Sequence, residues 1–128
     1  GNMVITIKKI YNDNYVEVSS PYGTFCGKYV GKNICTDHMC DVEIDIPNVF
    51  ALDDFEISDT QSFNIVTSNG ITTINGLVQE IDIDMIFIRF GLDLIAIKII
   101  LDVEYQSLLN KYVSFTFDKI VLYDTGVI

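Results

Sequence analysis

Short runs of alternating or continuous apolar residues cover most of the chain and predict β-strands. Residues 41–46 alternate strictly, so Val42, Ile44 and Ile46 share one face and three carboxylates share the other. A period of two residues indicates a strand with one buried face. Comparable runs predict further strands at 4–7, 15–18, 25–30, 62–67, 71–81, 85–90, 92–100, 112–117 and 120–123.

Glycine and asparagine mark the turns between several of these strands. Asn69-Gly70 separates two apolar runs, and because both residues accept positive φ the pair predicts a tight hairpin. Gly91 predicts a second hairpin between two almost continuously apolar runs, a pattern typical of strands covered on both faces. Residues 103–111 are the one segment for which we predict a helical turn or a short helix.

These patterns predict an all-β fold. A chain of 128 residues has the size of one domain and can bury a core without a disulfide or a metal. We predict a small, partly open barrel or a two-layer β structure with at most one short helix. Within a single domain spanning residues 1–128, a β-meander at about 3–57 is expected to pack on a second part at about 62–124.

The second part resembles a known type of fold. Its order from residue 71 is long strand, hairpin, short helix, strand, strand, with segments 109–115 and 117–126 as the re-entry and the ending. This order resembles an OB-type barrel, in which five strands close with a helix between the third and the fourth. The ending is also similar to that of small uncharacterised bacterial β-barrel proteins. These resemblances imply an OB-like C-terminal half and define no functional residues.

Charge is segregated along the chain, whose net charge is −10. Residues 33–88 contain eleven Asp or Glu and no Lys or Arg. Wherever this segment reaches the surface, its negative potential favours a cationic partner and opposes a phosphate backbone. We therefore predict a non-enzymatic protein-interaction module with an acidic face for a basic protein partner, by analogy an immunity protein or inhibitor. The predicted partner-binding residues are Asp41, Glu43, Asp45, Asp53, Asp54 and Glu56.

Two other functions stay open on the sequence. An OB-like barrel could bind nucleic acid or a small ligand, although a basic groove is missing and most aromatic residues are expected in the core. A hydrolase could use Cys35 with His38, or paired carboxylates. The chain has no Gly-x-Ser-x-Gly motif and no Gly-rich phosphate loop, so we predict no catalytic residues.

One cluster of soft metal ligands is present. Cys35, His38 and Cys40 lie close together in the chain, and Cys26 precedes them. Thiolates and imidazoles suit Zn²⁺, but this spacing matches no common structural zinc motif. We predict no metal and no cofactor, and we keep a zinc set of Cys26, Cys35, His38 and Cys40 as the alternative.

The cysteine count and the charges also bear on location. Three cysteines cannot all pair within the chain, which favours a reducing compartment. The most apolar stretch, residues 83–101, contains Asp84, Arg89, Asp93 and Lys98, and these charges disfavour a membrane span. We predict a cytoplasmic protein without a membrane partner, and a homodimer stays open. The abundance of Ile, Asn, Asp and Lys suggests a bacterial source through codon usage.

Overall fold

A computed structural model describes residues 2–101 and 104–128, which form two β-sheets. The strands of the first sheet are β1 (Asn2–Ile10), β2 (Tyr15–Ser20), β3 (Gly23–Val30), β4 (Met39–Asp45) and β12 (Val121–Asp124). They form a closed barrel in the order β1-β2-β3-β12-β4. The predicted all-β class with a small, partly open barrel is confirmed, because the second sheet curls without closing.

The second sheet has seven strands and forms a half-barrel. Its strands are β5 (Val49–Phe50), β6 (Glu56–Ile57), β7 (Asn64–Ser68), β8 (Ile71–Asp82), β9 (Met85–Phe90), β10 (Asp93–Ile99) and β11 (Tyr112–Phe117). The order is β5-β10-β9-β8-β11-β6, and β7 pairs with the first half of β8. Strand β8 therefore organises this sheet, because β7, β9 and β11 all pair with it.

The chain closes the first barrel only with its last strand. Leu122 of β12 lies opposite Tyr29 in a parallel ladder with β3, and opposite Ile44 in an antiparallel ladder with β4. The chain thus leaves the first sheet after residue 45 and returns to it after residue 117. The two-residue strands β5 and β6 belong to the second sheet, and β12 belongs to the first.

Alternating burial places the core inside both sheets. In β4, Cys40, Val42 and Ile44 are buried, whereas Glu43 and Asp45 are exposed, as the alternation of residues 41–46 predicts. The buried apolar residues of the two sheets form one continuous hydrophobic cluster. Burial of this apolar surface is the main force that holds the barrel and the half-barrel together.

Tyr22 lies where the two sheets meet. Its carbonyl oxygen accepts a hydrogen bond from the Ile65 N–H at 3.1 Å. Its ring packs edge-on against Phe90, with 4.8 Å between the centroids, and it contacts Phe63 at 6.4 Å. A side chain at Gly91 would overlap the Tyr22 hydroxyl, so a glycine permits this close approach.

The predicted hairpins form, and the predicted helix is reduced to one turn. Asn69 and Gly70 both have positive φ, 52° and 79°, as a two-residue hairpin requires. In place of a helix over 103–111 there is a 3-10 turn at Gln106–Leu108, and Val103 lies outside the described residues. Across residues 2–101 and 104–128, no helix is long and apolar enough to cross a membrane.

Candidate functional site

Three carboxylates project from the outer face of β4. Asp41, Glu43 and Asp45 alternate with buried apolar residues, and we call these three residues the acidic strand face. Glu43 and Asp45 are exposed. Asp41 is half-buried, and its carboxylate accepts a hydrogen bond from the Thr125 hydroxyl at 2.7 Å. The strand therefore presents two free carboxylates and one that is already hydrogen-bonded.

Uncharged residues flank the acidic strand face on both sides. On β1, Asn2 lies opposite Glu43, and Val4 lies opposite Asp41. On β12, Tyr123 lies opposite Glu43. The Val4 and Tyr123 residues are 42% and 44% exposed. The carboxylates therefore border an apolar and aromatic surface instead of a row of cations.

The other predicted partner-binding residues form a second acidic group. Asp53, Asp54 and Glu56 follow β5 and are all exposed. They border a groove of about 290 Å³ beside β11. The Asp54 carboxylate accepts a hydrogen bond from the Ala51 N–H at 2.7 Å, so it also holds the local 3-10 turn. The six predicted residues thus fall into two groups of three on different sheets.

Few cations neutralise these carboxylates. In the described ranges, Lys8 forms an ion pair with Asp37 at 3.4 Å, and His38 Nε2 lies 3.9 Å from the Asp124 carboxylate. None of the six predicted acidic residues takes part in an ion pair within that part of the chain. Lys98 borders a groove of about 320 Å³ next to the acidic strand face, but it lies beyond ion-pair distance.

The structure does not assemble the four residues of the alternative zinc set. Cys26 lies on the outer face of β3, where its N–H donates to the Thr67 hydroxyl at 2.9 Å. Cys35 is exposed in the segment before β4, and Cys40 is buried inside the barrel. Of the four, only His38 and Cys40 share a cluster of ligand atoms in the described residues.

A polar cluster occupies one end of the barrel interior. Cys40 is the second residue of β4, and His38 directly precedes this strand; their side chains belong to one cluster of ligand atoms. Tyr29 lies near the end of β3, and Asp124 ends β12. The Tyr29 hydroxyl donates a hydrogen bond to the Asp124 carboxylate, and His38 Nε2 lies 3.9 Å from the same carboxylate. We call these four residues the barrel-end cluster.

Hydrogen bonding and burial shift the pKa values in the barrel-end cluster. The hydrogen bonds from Tyr29 and from the Gly126 N–H lower the pKa of Asp124. Burial raises the pKa of the Cys40 thiol, and burial with the bond to Asp124 raises the pKa of Tyr29. A buried thiol with a raised pKa is a weak nucleophile, so the cluster does not favour a hydrolase that uses Cys40 as its nucleophile.

Sequence reasoning found two members of the barrel-end cluster and missed the other two. His38 and Cys40 stood out as soft ligands, but Tyr29 and Asp124 carry no local signal. Tyr29 and Asp124 are 95 residues apart, and they meet only because β12 pairs with β3. The strand order that joins them could not be derived from any local pattern.

The aromatic residues of β9 and β11 do not form an exposed stacking surface. As expected from the sequence, three of them are buried and two are half-buried: Phe90, Phe115 and Phe117, then Phe87 and Tyr112. Arg89 Nε donates to Gln79 Oε1, and within residues 2–101 and 104–128 it has no carboxylate partner. The aromatic residues of β9 and β11 therefore offer no platform on which bases could stack.

The fold defines a small all-β protein in which a closed five-stranded barrel joins a curled half-barrel. Comparison of the chain with protein-family models, curated proteins and solved structures found no match. A proposal about function must therefore be built on the acidic strand face and the barrel-end cluster themselves.

Proposed function

We propose that this protein is a non-enzymatic interaction module whose acidic strand face binds a basic protein. The observation that carries the proposal is the register of β4 with its neighbours. Three carboxylates stand in a row, and none of the residues that lie opposite them on β1 and β12 is a cation. This arrangement leaves a concentrated negative charge on an ordered strand.

The surroundings of the acidic strand face suit a protein partner. Negative charge without local neutralisation speeds encounter with a positive surface and selects against other partners. Val4 and Tyr123 add exposed apolar and aromatic area beside the charge. Tyrosine is enriched in protein interfaces because its ring contributes buried area at a low entropic cost.

The proposal extends to the type of partner, the cellular location and the source organism. A cytoplasmic inhibitor of the immunity type would use such a face to cover the basic surface of its target, and this step depends on analogy. A bacterial source and an OB-like second part are compatible with the same proposal. Nucleic acid is the weaker alternative because the carboxylates repel phosphates.

The first prediction concerns capture of the partner. Immobilised protein exposed to a lysate of the source organism should retain a protein of high isoelectric point. Replacing the acidic strand face with Asp41→Asn, Glu43→Gln and Asp45→Asn should lower retention by about tenfold or more, because the complementary charge is lost. Quantitative mass spectrometry of the eluates measures this change.

A matched control makes this test specific. Asp53→Asn, Asp54→Asn and Glu56→Gln change the net charge equally but lie in the second acidic group, so retention should stay near the original level. Equal loss in both triple variants would contradict the assignment of binding to the acidic strand face, because net charge or the second acidic group would account for it equally well. Tight binding of single-stranded DNA at low salt, measured by fluorescence anisotropy, would favour the nucleic-acid alternative.

A further inference from the structure

The barrel-end cluster has no role in the proposed interaction, yet it brings together three different metal-ligating groups. We propose that His38 Nε2, Cys40 Sγ and the Asp124 carboxylate bind a divalent cation of the zinc class. These three ligand atoms lie within 4.8 Å of one another. They come from β4, the residue that precedes it and β12, so the barrel itself sets their positions.

The spacing of the ligand atoms is close to that of a zinc site. With zinc–ligand bonds of about 2.0–2.3 Å in a tetrahedron, the ligand atoms are separated by about 3.3–3.6 Å. His38 Nε2 and Asp124 Oδ2 are 3.9 Å apart, and separations within the set reach up to 4.8 Å, so the ligand atoms must approach one another by about 0.5–1.2 Å. Binding therefore requires the three side chains to close around the ion.

In the described residues, His38 Nε2 is an atom of this cluster whose hydrogen-bonding capacity is not satisfied. The atom is buried and has no hydrogen-bond partner in the described structure. A buried polar atom without a partner costs free energy, so native structures rarely retain one without a reason. A cation between His38, Cys40 and Asp124 would satisfy this nitrogen.

The chemistry of the three ligands selects the cation. Imidazole nitrogen with a thiolate sulfur suits zinc, whereas Mg²⁺ and Ca²⁺ prefer sets made entirely of oxygen. The Tyr29 hydroxyl and the Gly126 N–H (2.8 Å from Asp124 Oδ1) hold the carboxylate in place. Such outer hydrogen bonds orient metal ligands in known sites.

Of the three proposed ligands, Asp124 borders a surface groove. A groove of about 430 Å³ borders Asp124 at this end of the barrel and is also lined by Lys32 and Tyr123. The His38 and Asp124 side chains are 19% and 11% exposed, whereas Cys40 is buried. Three protein ligands leave a fourth position of the tetrahedron for water or another donor.

Titration with Co²⁺ tests the proposal, because cobalt replaces zinc in such sites and absorbs light when bound to a thiolate. Metal-free protein should bind one Co²⁺ per chain with a sulfur-to-cobalt charge-transfer band, and Zn²⁺ should displace it. The band should be lost in Cys40→Ala and retained in Cys35→Ser, a matched control at an exposed cysteine. Circular dichroism establishes that each variant is folded.

A second variant keeps the test decisive if Cys40→Ala does not fold. His38→Gln, at a partly exposed position, should weaken Co²⁺ binding by at least about a hundredfold and shift the ligand-field bands. Absence of Co²⁺ or Zn²⁺ uptake by the original protein would overturn the proposal. Uptake that survives His38→Gln, or that is lost in Cys35→Ser, would also overturn it, because the ligands would then be different.

Discussion

The Tyr29 hydroxyl is buried within the first barrel and donates to a carboxylate that is itself largely enclosed. A hydrogen bond to a charged acceptor contributes more than a neutral one, and its loss leaves the acceptor less satisfied. Tyr29 therefore anchors Asp124, and with it the end of β12, to β3.

Tyr29→Phe should lower the free energy of unfolding by about 2 kcal/mol, because Asp124 loses its buried donor. Urea denaturation at neutral pH in the presence of a chelator measures this change. Tyr123→Phe removes a hydroxyl from an exposed tyrosine on the same strand as Asp124 and should change stability by less than about 0.5 kcal/mol. Similar losses in both variants would contradict the anchoring role of Tyr29.

At the residue scale, the sequence predicted which side chains are exposed better than it predicted which residues contact one another. The alternation of residues 41–46 correctly separated the buried Val42 and Ile44 from the exposed Glu43 and Asp45. His38 and Cys40 stood out only as soft metal ligands close together in the chain, because the predicted strand began at residue 41. Asp124 joins them only through β12, and pairing between distant strands leaves no trace in local periodicity.

Strand β8 depends on a glycine where β9 comes close. A Cβ at Gly76 would lie 2.6 Å from Ile88 Cγ2 and 2.9 Å from the Arg89 carbonyl oxygen. The register shift between β8 and β9 lies between Val78 and Glu80, two residues beyond this glycine. Gly76 therefore permits close contact between backbones and does not itself form the bulge.

Gly76→Ala should destabilise the protein by about 2–3 kcal/mol, because the added methyl group meets the backbone of β9. Chemical denaturation gives the difference. Gly70→Ala is the matched control: its Cβ would meet nothing within 4 Å, so only the positive φ of the turn opposes it, at about 1 kcal/mol. A Gly76→Ala loss no larger than that of Gly70→Ala would contradict this account.

At the element scale, the long strands and both glycine-marked hairpins could be predicted because their signals are local. The prediction that β9 and β10 are covered on both faces was wrong for β10, because Ala96 and Lys98 are exposed beside buried isoleucines. Apolar composition favours a strand without specifying a second layer over it. The two-residue strands β5 and β6 were missed because they are too short to show a period.

For the whole molecule, β12 is the element that closes the first barrel. Without it, β3 and β4 would each lose a neighbour, and their backbone groups would become free edges. If β12 did not join β3 to β4, the buried side chains of Tyr29 and Ile44 would be exposed to water.

Removal of residues 119–128 should therefore abolish the protection of β1–β4 against hydrogen exchange, because the barrel can no longer close. Mass spectrometry of peptides from β1–β4 measures this effect. Removal of only Val127 and Ile128, which are exposed beyond β12, should leave the protection unchanged. Full protection of β1–β4 after the longer deletion would show that the barrel does not need β12.

The arrangement of the whole molecule was the least accessible to sequence reasoning. Class and approximate size of the barrel followed from strand patterns, whereas strand order depends on which apolar faces meet in three dimensions. The charge asymmetry of residues 33–88 could be read directly, but its division between two sheets could not. The OB-like resemblance of the second part stays a prediction.

The distance along the chain between β4 and β12 has a consequence for synthesis in the cell. Strands β1–β4 are translated well before residues 121–124, so the nascent chain carries an incomplete barrel while the residues between β4 and β12 are being added. Closure must wait until Asp124 has emerged from the exit tunnel. During that interval the open edges of β3 and β4 are available to chaperones, and a ribosome that stalls before residue 121 releases a product that cannot complete the barrel.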